Sequence, residues 1–125
     1  MLAGCGVKES IEDASAQVDQ FHAALDAGDW QAVWKRADPE LRKATRREQF
    51  GRLLKAVHRK LGNVQSSRQV GWNANATTGG SFVTLTMQTT FEKGVGTEQF
   101  VYRKGDGGKL MLVGYDIQSQ DMMLN

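Results

Sequence analysis

The spacing of apolar residues changes period once along this chain, near Val64, and that change limits the folds open to it. Before it, Ile11, Ala14, Val18, Phe21 and Leu25 recur every three or four residues and share one face of a helix. Ser10 with Asp13 has the form of a capping box, which predicts a helix start near Ile11, and Gly28 is a stop. Asp29 predicts the cap of a second helix carrying Trp30, Val33, Trp34 and Ala37. Asp38-Pro39 predicts a short turn, with proline where its missing N–H costs nothing. Thr45 with Glu48 predicts the cap of a third helix bearing Phe50, Leu53, Leu54, Val57 and Leu61, closed by Gly62.

After Val64 the period is two. Val83, Leu85, Met87, Thr89 and Phe91 alternate with Phe82, Thr84, Thr86, Gln88 and Thr90, a β-branched and aromatic pattern suited to a pleated, half-buried surface. Glycine-rich turns at 77–80, 93–96 and 105–108 divide this half into strands over 64–75, 81–92, 97–104 and 109–118. Short connections between them predict an antiparallel meander. Helices followed by strands, without alternation, predict an α+β fold. Phe21, Trp34, Leu54, Phe91 and Val113 are expected to be buried together, with Trp30 and Trp34 anchoring the second helix.

A chain of 125 residues fits one domain with one core. Cys5 is the only cysteine, so an internal disulfide and cysteine-rich zinc sites are excluded. His22 and His58 border the apolar stripes of different helices and are expected to be half-exposed packing residues. No metal or cofactor is expected. No apolar run approaches the roughly 18 residues of a membrane span.

Charge is unevenly placed. Residues 35–60 hold ten basic against three acidic side chains, a local +7 in a chain whose formal net charge is +2. Arg52, Lys55 and Arg59 are spaced to form one exposed line, a face suited to anionic lipid headgroups or an anionic envelope polymer. Nucleic acid is not expected, because only Phe50 and His58 interleave the basic residues of this helix and Phe50 belongs to the core. The candidate pocket residues are Trp72, Tyr102, Tyr115 and Asp116. Tyr115 and Asp116 are adjacent in the last strand, point to opposite faces and cannot cooperate directly, so catalysis is not expected.

Leu2-Ala3-Gly4-Cys5 resembles the lipobox of bacterial lipoproteins, in which a signal peptide is cut before the cysteine and the sulfur then carries a lipid. This resemblance implies an apolar signal encoded upstream of Met1 and membrane attachment through Cys5. Gly28-Asp29-Trp30 with Trp34, then Phe50, Leu54, Gly62, Arg68, Phe91, Glu98 and Val113-Gly114-Tyr115, resemble in their order a bacterial lipoprotein family, domain of unknown function 4019. The wider pattern over residues 9–118 looks like the cone fold of the nuclear-transport-factor-2-like (cystatin-like) superfamily. That resemblance implies three N-terminal helices packed on a curled four-stranded antiparallel sheet. Residues 1–8 would be a lipobox remnant and flexible linker, and residues 119–125 a tail.

The superfamily contains isomerases, dehydratases and binding domains, so the fold does not dictate activity. The expectation is a non-enzymatic, lipid-anchored domain on the periplasmic side of a bacterial envelope, binding a partner or small ligand. A homodimer through the outer sheet face fits the resemblance. Two other classes stay open: a small-pocket isomerase-like or dehydratase-like enzyme, and a cytoplasmic binding or assembly module in which Cys5 carries nothing.

Overall fold

The computed structural model describes residues 3–124, with the side chains of residues 3–6 and of Asp106 left undescribed. Helix α1 spans Ala3–Asp26. Its inner stripe of Ala14, Val18, Phe21 and Leu25 is buried, with Ile11 half-buried beside it. The helix begins well before Ser10, running through residues expected to be a linker. A serine and an aspartate three residues apart share a helix face in an interior as at a cap, and Ser10 lies in the interior, buried. Gly28, with φ +73, turns the chain, and Asp29 caps α2 (Trp30–Arg36) through the Ala32 N–H at 3.3 Å.

The turn expected at Asp38-Pro39 is itself a helix, α3 (Pro39–Ala44), because Asp38 accepts the Glu40 N–H at 2.9 Å and satisfies its start. Four helices rather than three therefore precede the sheet among the described residues; the fourth is α4 (Arg47–Leu61). The expected Thr45/Glu48 capping box does not form. Thr45 instead closes α3 with its N–H on the Leu41 carbonyl, and Arg46 stands before α4 without a side-chain cap. Gly62, φ +81, ends α4 as expected.

Strands β1 (Val64–Thr77), β2 (Gly80–Phe91), β3 (Gly94–Lys104) and β4 (Leu110–Gln118) form one antiparallel sheet in chain order, the meander that the turn signals predict. The α+β class holds, with a curled sheet. Its inner face carries Val83, Leu85, Met87 and Phe91 of β2 and Phe100 and Tyr102 of β3, all buried against the helices. Bulges interrupt β1 and the β3–β4 pairing. The latter matters for the site. Val101 pairs with Gly114 but Tyr102 with Leu112, so Val113 is an extra residue and parity flips there. Leu110 and Leu112 face the core, and beyond the bulge so does Tyr115.

Of the five expected core residues, Phe21, Leu54 and Phe91 are buried. Trp34 is half-buried against Phe50, ring centroids 5.6 Å apart, while Val113 stays outside the core because it is the bulged residue. Beyond β4, α5 (Gln120–Leu124) docks on β3, with Asp121 accepting the Val95 N–H and Ser119 donating to the Val95 carbonyl. The segment expected as a tail is thus pinned to the sheet.

Two contacts lock the helical layer. Asp38, 1% exposed, accepts two hydrogen bonds from Arg103 at 2.8 and 2.9 Å, and its N–H reaches the Leu112 carbonyl at 2.8 Å. This ties the α2–α3 junction to β3 and β4. Trp30 lies across Gly51 of α4. An alanine in a helix interior usually gains about 1 kcal/mol over glycine. Here the added methyl would sit 2.7 to 2.9 Å from three Trp30 ring atoms. Overpacking of that kind costs roughly 1–3 kcal/mol and outweighs the gain. Gly51→Ala should therefore lower the thermal midpoint followed by circular dichroism; a raised midpoint would show that the Trp30 ring can swing aside.

Candidate functional site

The most unusual chemistry lies in the core, around Glu98 of β3. Its side chain is 0% exposed. Residues 98, 100 and 102 point inward along β3, so an acid stands in line with Phe100 and Tyr102. His22 Nε2 lies 2.7 Å from Glu98 Oε1. The Thr89 hydroxyl donates to the same oxygen at 2.6 Å, and the Tyr115 hydroxyl donates to Oε2 at 2.5 Å. Thr89 has one proton, and Glu98 takes it. The 2.7 Å contact between Ser67 and Thr89 therefore has Ser67 as donor. The five residues come from α1 and all four strands.

Three donors on one carboxyl form the set that an ionised carboxylate satisfies. Aromatic rings wall the group in. Phe21 lies 4.9 Å from Phe100 and 4.6 Å from Tyr115, and the His22 ring is 5.9 Å from Phe100. The Tyr115 phenol is pushed well above its ordinary value of 10.0, by burial first and then by the Glu98 charge and hydrogen bond, with a smaller contribution from Asp116. Burial, then the Glu98 charge, raises Tyr102 in the same direction.

A general base needs a lone pair free to face a substrate. Both oxygens of Glu98 are engaged from within the chain. None of the four cavities described is lined by His22, Ser67, Thr89, Glu98 or Tyr115. The cluster thus joins helix to sheet as a polar clasp.

The four residues expected to share a pocket are not gathered in one. Tyr102 is buried and Tyr115 half-buried on the inner face. Asp116 is exposed and paired across from Gln99 on the outer face. Trp72 is in register with Leu85, but it stands on the edge strand and remains 54% exposed. His22, expected half-exposed, is buried because Glu98 holds it. His58 is half-buried; its Nδ1 is a buried atom without a hydrogen-bond partner among the described residues.

Arg52, Lys55 and Arg59 are exposed along α4, as their spacing predicts. Among the described residues, none of the three has a carboxylate within ion-pair distance. Lys55 Nζ and the Arg47 guanidinium lie 5.7 and 5.1 Å from the Trp30 ring centroid, so part of the basic charge rests on an aromatic face. Cys5 falls within the first turns of α1, and its side chain lies outside those described.

The fold and cluster define an α+β domain whose core is centred on a polar clasp. The chain belongs to the family described as protein of unknown function (DUF4019), whose profile matches residues 17–115. That span contains every member of the Glu98 cluster. No curated protein matches the chain.

Glu98→Gln keeps the shape but replaces one acceptor oxygen with a donor, facing groups that are themselves donors. It should cost about 2–4 kcal/mol in urea unfolding, and Tyr115→Phe about 1–2 kcal/mol. The raised phenols set a second expectation. Their contribution is complete below pH 10, where both folded and unfolded tyrosines hold their protons. Above it the unfolded chain releases protons that the fold retains, so stability should fall as pH rises. Tyr115→Phe should flatten that alkaline decline; an equally steep decline would show that Tyr115 does not carry it.

Proposed function

We propose that this chain is a non-enzymatic binding domain of the nuclear-transport-factor-2-like (cystatin-like) cone type, held at a bacterial cell envelope through a lipid on Cys5. One observation carries the non-enzymatic reading: both oxygens of the fully buried Glu98 carboxyl are engaged from within the chain, Oε1 by His22 and Thr89 and Oε2 by Tyr115. A long first helix, short helices and a bulged antiparallel meander support the cone reading. The Leu-Ala-Gly-Cys sequence at residues 2–5 supports the anchor. No helix among the described residues is long and apolar enough to cross a membrane.

The basic line on α4 supports an anionic contact surface. Each such charge near an anionic membrane contributes about 1 kcal/mol, too little for three to hold a soluble protein but enough to orient an attached one. Lys55 also rests on Trp30, so its reversal would disturb packing; Arg52→Glu with Arg59→Glu is the cleaner change. The soluble chain should bind anionic vesicles in a salt-sensitive way and bind neutral ones weakly, and the double reversal should remove the difference. Equal binding to both vesicle types would dismiss the contact face.

The anchor is tested in the precursor. With an apolar leader in front of Met1, the protein should sediment with membranes, and Cys5→Ser should release it to the soluble fraction. Sedimentation unaffected by the substitution would overturn the lipoprotein reading, and a precursor without such a leader would favour a cytoplasmic binding module.

A further inference from the structure

Away from the Glu98 cluster, the structure contains a cleft of about 350 Å³ between the N-terminal turns of α1 and the stem of the β1–β2 hairpin. That volume lies within the range of small-ligand sites. Val7 and Ser10 contribute from α1, and Ala74 and Val83 from the paired strands. Val83 is only 4% exposed and Ala74 packs against the core, so the floor is apolar and firmly held. Trp72 extends the same face of β1 two residues before Ala74, and it is 54% exposed.

The polar side chains on this lining are Ser10, Asn75, Ser81 and Lys104, and among the described residues none of them makes a side-chain hydrogen bond. Ser10 is 6% exposed yet makes no side-chain hydrogen bond among the described residues. Lys104, at the end of β3, is the only charged residue on the lining, and among the described residues it has no acidic partner. Its neighbour Arg103 is already committed to Asp38. The cleft thus presents an apolar floor, a few neutral polar groups from Ser10, Asn75 and Ser81, and one ammonium among the described residues.

From this arrangement we infer that the cleft binds a small amphiphile with an apolar chain and a single anionic end, an alkyl carboxylate, with the chain over Val83 and Ala74 and the carboxylate at Lys104. A lone lysine suits a monoanionic carboxylate. Phosphoryl groups are more often gripped by several donors or a bidentate arginine. The inference deepens the binding reading and rests on it, but it requires neither a lipid on Cys5 nor the basic face of α4.

Titration calorimetry of the full chain with octanoate and with 1-octanol tests it. Octanoate should bind saturably at one site and more tightly than octanol. Lys104→Glu, at an exposed position, should weaken octanoate about tenfold while leaving octanol unchanged. Ala76→Trp, also exposed and on the lining, should block both ligands while the circular dichroism spectrum and thermal midpoint stay near the parent's. Absence of saturable octanoate binding, or octanoate affinity indifferent to Lys104→Glu, would overturn the proposal. Because no membrane enters the experiment, its failure would leave the anchoring reading untouched.

Discussion

Moving a carboxyl group out of water costs several kcal/mol unless the protein replaces the lost hydration with its own donors. Glu98 is fully buried, so the fold must bring those donors to it. Each comes from a different element: His22 from α1, Thr89 from β2 and Tyr115 from β4, with Ser67 of β1 behind Thr89. The group is thereby a test of tertiary assembly. A sheet slipped by one residue, or a first helix rotated by a third of a turn, would strand an acid among Phe21, Phe100 and Tyr102. Apolar packing alone would tolerate many such rearrangements. The clasp narrows them to one, and the bulge at Val113 is part of its construction, because without it Tyr115 would face outward.

This arrangement divides the molecule by role. The centre of the helix–sheet interface is occupied by groups that satisfy one another. Among the described residues, side chains without an acidic or hydrogen-bonding partner lie nearer the periphery: Arg52 and Arg59 on α4 and Lys104 at the hairpin cleft. Asp38 and Arg103 mark the boundary, since the same β3 strand places Arg103 in a bidentate pair and Lys104, one residue on, without an acidic partner among the described residues. Substitutions at these rim positions therefore leave the Glu98 hydrogen bonds intact.

Much of the architecture was legible in the sequence because it follows from periodicity and local turn chemistry. The change of period at Val64, the glycine turns and the stops at Gly28 and Gly62 place all four strands and the ends of α1 and α4. The start of α1 was not legible, because Ser10 and Asp13 satisfy a capping pattern and an interior helix face equally well. Nor was the bulge at Val113, a single extra residue without a compositional mark: counting by twos puts Leu112 and Tyr115 on opposite faces, whereas both face the core. Glu98 did leave a signal. It shares parity with Phe100 and Tyr102, and an acid on an apolar strand face requires partners. His22 follows Phe21 on α1 at the margin of its stripe and was the available cation or donor. What periodicity could not show is that these two, 76 positions apart, would meet.

Helix α1 also sets a distance between its two ends. At 24 residues it is about 36 Å long. Cys5 lies near one end, while Leu25, near the other, shares a small cavity wall with Leu54, Lys55 and His58 of α4. A lipid on Cys5 would therefore fasten the protein at the end opposite its free cations, about 30 Å along a rigid rod. The electrostatic reach of a bilayer at physiological salt is about 8 Å. With the rod upright, the cations would stand outside the field of the anchoring membrane and address whatever lies across the gap; with the rod lying flat, anchor and cations would share one surface. The tilt of a single helix would decide which of two surfaces the basic face meets.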